Sequence, residues 1–195
     1  MKKYAYIGCL GFLGIITTEF GIIGILPQIA DYYKISIDKA GILLSAFALV
    51  IALTGPFMTL LVSGLDRKKV MFTSLLIFLF TGIISSFSPP FWLLVLVRLL
   101  PAFLQPVYIA TALSVAVSKG NESNKNELMS IVFSGVAIAM VTTVPFATYL
   151  ASIFSWQSSF IVQAIISFIA LVFIYFGLPN MPVHEKKSYG SQLKY

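Results

Sequence analysis

The sequence predicts an all-α integral membrane fold of six transmembrane helices with both termini in the cytoplasm. Three observations carry this. Of the residues, 58% are hydrophobic and only 10% are charged, whereas a soluble domain needs about 25% charged residues to wet its surface. The few charges cluster and cut the chain into apolar runs of about 20 residues, the length that crosses a hydrocarbon core. The runs are solidly apolar rather than alternating, which excludes barrel strands, and an isolated span must satisfy its backbone amides internally, as a helix.

The first span covers about 4–26 and is closed by Pro27 and a polar stretch, 28–39. Met1-Lys2-Lys3 ahead of apolar sequence looks like a secretory leader, but the run exceeds an h-region of about 7–15 residues and contains Glu19, so it is read as a retained span. The second span, about 40–62, holds no charge and ends at Asp66-Arg67-Lys68-Lys69. The third, about 70–87, stops at the breaker Ser88-Pro89-Pro90. The fourth, about 91–117, is interrupted by a single charge, Arg98, and a polar loop, 118–127, follows. Leu128 to Val183 carries no charge and is too long for one crossing at about 1.5 Å per residue. Ser155-Trp156-Gln157-Ser158-Ser159 divides it into a fifth span, about 128–154, and a sixth, about 160–178. The chain thus reads as a six-span unit, 1–178, and a polar tail, 179–195.

Loop charges set the expected orientation. Lys2, Lys3, Arg67, Lys68, Lys69, Lys119, Lys125, Lys186, Lys187 and Lys194 fall on one side, and Lys34 and Lys39 on the other. Basic loops stay in the cytoplasm. Trp92 and Trp156 then lie near the outer interface, where amphipathic rings settle.

Composition also excludes function classes. The net charge of +6 sits in the loops, where it serves topology rather than nucleic-acid binding. Cys9 is the single cysteine and His184 the single histidine, so an internal disulfide and a Cys/His metal cluster are impossible, and nucleophilic catalysis would have to rely on the polar tail. An enzyme is not expected, nor any metal or organic cofactor. The lipid bilayer is the expected surrounding.

Glu19 and Arg98 are the charges placed inside spans. Each costs at least about 2.5–3.5 kcal/mol at the centre of a lipid-facing helix, so such groups face a bundle interior or a wet cavity. Each lies about eight residues, roughly 12 Å, below the outer end of its span, and the two can meet at one level. Two roles stay open: a structural ion pair, or a proton- or substrate-binding site in which burial and the neighbouring cation act on the carboxyl in opposite directions. Gln105 is a further cavity candidate, with plain helix-to-helix hydrogen bonding as its other reading. Gly11 and Gly14 with the later Gly21 and Gly24 give the first span a small-residue face for packing, and Gly55-Pro56, Pro101, Pro106, Gly135 and Pro145 mark kinks or close approaches.

These residues resemble the major facilitator superfamily, and within it the twelve-span drug:proton antiporters that include arabinose-type and purine-type efflux permeases. Thr18-Glu19-Phe20-Gly21-Ile22-Ile23-Gly24-Ile25-Leu26-Pro27-Gln28-Ile29-Ala30 resembles that group's T-E-F-x-x-x-G-x-L-P-x-I-A pattern, and Ser36 to Gly41 with Ser45 to Leu49 resembles the approach to its second span. In the loop after span two, Arg67-Lys68-Lys69 match the basic end of the family's G-x-x-x-D-R-x-G-R-R signature, while Ser63 holds its acidic position and Asp66 its second glycine. Arg98 matches the arginine that opens the family's fourth-span motif. The antiporter motif G-x-P-x-G-x-x-x-G appears as Thr143, Pro145, Ala147 and Ala151, and Phe154-Ser155-Trp156-Gln157 resembles F-x-W-R with Gln for Arg.

The resemblance implies half of a major facilitator fold: two inverted three-helix repeats, with the 179–195 tail opening a cytoplasmic central loop and then truncated. It implies the N-terminal half of a bacterial inner-membrane antiporter that exports a small organic solute in exchange for protons. A C-terminal half would be missing. Glu19, Arg98 and Gln105 would line the cavity. Asp66, Arg67, Lys68 and Lys69 would form a conformational loop, and Thr143, Pro145 and Ala147 the span-five motif. Two alternatives stand beside it: a complete half-size transporter acting as a homodimer, and a non-transporting remnant or assembly subunit.

Overall fold

A computed structural model describes residues 2–118, 120, 121 and 123–182. Six rods among them are long and apolar enough to cross a membrane: Lys2–Tyr33, Ile37–Val62, Arg67–Ser86, Phe91–Val117, Lys125–Ile153 and Gln157–Gly177. Described residues form helices, turns and connections without strands.

The first rod is built from α1 (Lys2–Phe20), a 3₁₀ turn (Ile23–Ile25) and α2 (Leu26–Tyr33). The sequence reading closes this span at Pro27. In the structure Pro27 sits in the first turn of α2, where its missing N–H costs nothing, and helix continues to Lys34 in a left-handed cap at φ 53°. A short α3 (Ile37–Ala40), capped by Ser36, leads into α4 (Ile42–Val62). The third and fourth rods are α5 (Arg67–Ser86) and α6 (Phe91–Val117).

The fifth rod is α7 (Lys125–Ile138), a widened π turn (Ala139–Thr143) and α8 (Val144–Ile153). Pro145 explains the widening. It lacks the N–H for its fourth-preceding carbonyl, that of Val141, and its ring would clash there, so the turn opens around it. The sixth rod is α9 (Gln157–Gly177).

The packing has an internal symmetry. α4 packs on α6 and α7 on α1; α5 packs on α6 and α9 on α1; α1 meets α6, and α5 meets α9. Exchanging rods one to three for rods four to six maps this pattern onto itself. With three crossings in each set, the second set starts from the opposite side, as inverted repeats do. α1 is therefore central. Its glycines admit the neighbours: Gly8 approaches Ala112 and Val132, Gly11 faces the Tyr108 ring, and Gly14 approaches Ile166. α4 is peripheral, with only Leu43, Phe47 and Gly55 buried.

Each end of the bundle has its own chemistry. At one end Lys2 pairs with Glu127 at 2.6 Å, Lys68 Nζ donates to the Tyr175 carbonyl, and Asp66 accepts from the Met181 amide. At the other, the rings of Tyr32, Tyr33 and Phe160 pack on Trp156, Phe91 packs on Tyr33, Tyr33 donates to the Pro89 carbonyl, and Gln157 donates to Ser88. Trp92 is exposed at this end, whereas Trp156 is 4% exposed, because Tyr32 and Tyr33 of α2 and Phe160 of α9 close over it. Lys119, Glu122, His184, Lys186, Lys187, Lys194 and most of the tail lie outside the described residues.

Candidate functional site

α1 ends at Phe20, and a helix end leaves its last carbonyls without intrahelical partners. The guanidinium of Arg98 uses one: Nη2 donates to the Thr18 carbonyl at 3.0 Å. The next residue, Glu19, is half-buried and accepts a 2.6 Å hydrogen bond from Gln105 Nε2. Arg98 and Gln105 lie seven residues apart on α6, two helical turns, so one face of α6 presents both to the end of α1.

The sequence reading allows an ion pair between Glu19 and Arg98. The structure does not make one. Arg98 is 2% exposed and lies between the rings of Phe47 and Phe160, each centroid 5.6 Å from its guanidinium carbon. Two aromatic faces and a carbonyl hold the charge. The carboxylate is bonded by the amide instead, which makes Gln105 its direct partner.

The span-five residues reach the same region from the other side of α1. Thr143 hydrogen-bonds Thr17 through their hydroxyls, Ala147 is fully buried, and Thr148 lies against Gly24. Pro145 is exposed and acts on the backbone, through the π turn. Asp66, Arg67, Lys68 and Lys69 lie at the opposite end of α5 from the aromatic cluster, away from Glu19. There Asp66 caps α5 through the Lys69 amide at 3.1 Å and ties down Met181 at 2.8 Å.

Several residues at the site escape the sequence reading. Phe47 and Phe160 look like ordinary span residues until they flank Arg98. On α9, Ser159, Gln163 and Ser167 recur every four residues, all fully buried, with side-chain atoms that find no protein partner. Gln163 faces Gly21 and Ser167 faces Gly14, so a polar seam runs between α9 and α1 beside the site. The spacing of four was its visible signal. Among the described residues, no group of three or more His, Cys, Asp or Glu is placed to hold a metal ion.

A carboxylate, an amide and an arginine thus converge where the central helix breaks, inside a bundle of apolar spans. The Major Facilitator Superfamily profile matches residues 8–194 of the sequence. The chain belongs to the major facilitator superfamily. It is 32% identical over 171 residues to the inner membrane transport protein YdhP of Escherichia coli, covering 88% of this chain and 44% of YdhP. The uncharacterized MFS-type transporter YbcL of Bacillus subtilis is 32% identical over 163 residues, 84% of this chain and 42% of YbcL. A probable sugar efflux transporter of Pasteurella multocida is 26% identical over 176 residues, 90% of this chain and 43% of that protein. This major facilitator chain therefore spans less than half the length of these relatives and matches their N-terminal half. The six helices are one half of a major facilitator fold.

Proposed function

We propose that this chain is the N-terminal half of a proton-coupled antiporter that exports a small organic solute across a bacterial inner membrane, with both termini cytoplasmic. The observation that carries the reading is Glu19: a carboxylate within an apolar span, bonded to Gln105 and one residue from the carbonyl that Arg98 holds. A carboxylic acid so placed exchanges protons with whichever side the cavity faces, and a solute that competes for Gln105 or Glu19 couples its own binding to that exchange. The arginine keeps the site polar without consuming the carboxylate.

A second half completes the cavity in this reading. The exposed faces of the second and fifth rods support that: Leu49, Leu53, Phe57 and Leu61 form one apolar stripe along α4, and Phe146, Tyr149 and Ile153 extend along α8. In the homodimer reading a second copy occupies these faces.

The test uses everted membrane vesicles with a pH-sensitive dye inside and a panel of lipophilic cations, sugars and nucleosides outside. Proton efflux on solute addition is expected when the chain is co-expressed with a matching second half, and is expected to vanish in Glu19→Gln. Full coupled flux in Glu19→Gln would remove Glu19 from the mechanism. Flux from the chain alone, abolished by dilution of the protein in the bilayer, would replace the second half with a second copy.

A further inference from the structure

Outside the α1–α6 site, α5 and α9 enclose a cleft that opens at the lysine-rich end of the bundle. Its mouth, about 600 Å³, is lined by Lys68, Lys69, Phe72, Thr73, Tyr175 and Asn180. An apolar groove of about 230 Å³ continues from it between the same helices, past Leu76, Leu79, Phe168 and Leu171. Phe72 and Tyr175 line both, so the two form one path from a cationic mouth to a hydrocarbon-like channel.

One cation at the mouth, Lys68, is held in place. Lys68 Nζ donates to the Tyr175 carbonyl at 2.8 Å and lies 5.5 Å from the Tyr175 ring centroid. Lys69 is exposed beside it, and neither ammonium is ion-paired among the described residues. Asp66 is bonded to neither ammonium: its two oxygens accept from the backbone amides of Lys69 and Met181.

We propose that this cleft binds one anionic glycerophospholipid, its phosphate between Lys68 and Lys69 and an acyl chain along the groove. Basic clusters at the membrane surface between helices suit acidic headgroups, and the groove supplies the apolar length that a free phosphate ester has no use for. The lipid would bridge α5 and α9, the pair that joins the two repeats at this edge of the bundle. The inference requires only that the chain spans a bilayer and stands apart from the transport reading.

The experiment is native mass spectrometry of the full chain released from detergent after titration with phosphatidylglycerol or phosphatidylcholine. One phosphatidylglycerol is expected to be retained at about ten-fold lower concentration than phosphatidylcholine. Lys68→Gln/Lys69→Gln is expected to erase the preference, while Lys34→Gln/Lys39→Gln, which removes the same charge at the other end, keeps it. Equal retention of both lipids, or equal loss in both double variants, overturns the proposal. So does displacement of the lipid by glycerol phosphate at comparable concentration, which would make the mouth a phosphate site without a chain. If Lys68→Gln/Lys69→Gln fails to fold, the fluorescence that Phe176→Trp, at a position lining the groove, adds over the unaltered chain with its Trp92 and Trp156 reads the groove. That added fluorescence is expected to be quenched more by brominated phosphatidylglycerol than by brominated phosphatidylcholine, and equal quenching again overturns the assignment.

Discussion

Gln105 donates its amide hydrogen bond to the carboxylate of Glu19 across the α1–α6 contact, at 2.6 Å. The carboxyl thereby has a neutral partner, and the nearby cation is free to bond the backbone. Hydrogen bonds to charged groups contribute about 1.5–3 kcal/mol, so Gln105→Leu is expected to slow coupled flux at least about ten-fold. Glu19→Gln is expected to abolish coupled flux at every pH. Flux against external pH in vesicles separates the two.

Arg98 is held by geometry that only a guanidinium fills. Its guanidinium carbon lies over the rings of Phe47 and Phe160 while one nitrogen reaches the Thr18 carbonyl. Lysine carries the charge but neither the plane nor the second nitrogen. Arg98→Lys is therefore expected to lower the thermal unfolding midpoint in detergent almost as far as Arg98→Ala. Phe160→Leu, which removes one cation–π contact of about 0.5–2 kcal/mol, is expected to fall between these variants and the unaltered chain.

Gly135 lets α7 touch the backbone of α1. A Cβ there would stand 2.6 Å from the Cys9 carbonyl and 3.2 Å from the Leu13 amide, and backbone cannot move aside as a side chain can. Gly135→Ala is expected to destabilise by about 1–3 kcal/mol, the usual cost of overpacking. Gly55→Ala, whose Cβ would meet the Pro106 ring at 3.3 Å, is expected to cost less. Thermal midpoints of the two variants in the same detergent give the comparison.

Orientation is readable by labelling. Cys9 is buried and its thiol lies 3.5 Å from the Ser134 hydroxyl, so a Cys9→Ala background is silent. In that background a membrane-impermeant maleimide applied to intact cells is expected to label Lys34→Cys and to leave Lys68→Cys unlabelled. Labelling of Lys68→Cys alone would invert the topology proposed from the loop charges.

How far the site was legible varies residue by residue. Glu19 and Arg98 stand out in any reading, since a charge inside an apolar run has to be explained. Their relation did not stand out, because spacing gives depth along a helix but not rotation about it. Rotation placed Gln105 on the carboxylate and turned Arg98 toward two aromatic rings. Trp156 shows the same limit: its position near a span end was readable, but two of the rings that bury it, Tyr32 and Tyr33, come from remote α2.

The sequence by itself determined the number of crossings, the helical state of each and the positions of the intramembrane charges. Hydrocarbon allows no unsatisfied backbone, so apolar length and charge spacing suffice for those. The tertiary structure alone decided which faces meet. It set the central place of α1, the exchange of α4 and α7 between repeats, the polar seam on α9 and the hand-over of the Thr18 carbonyl to Arg98. In a uniformly apolar span the outward and inward faces look alike in sequence, and only close packing between small residues and large ones tells them apart.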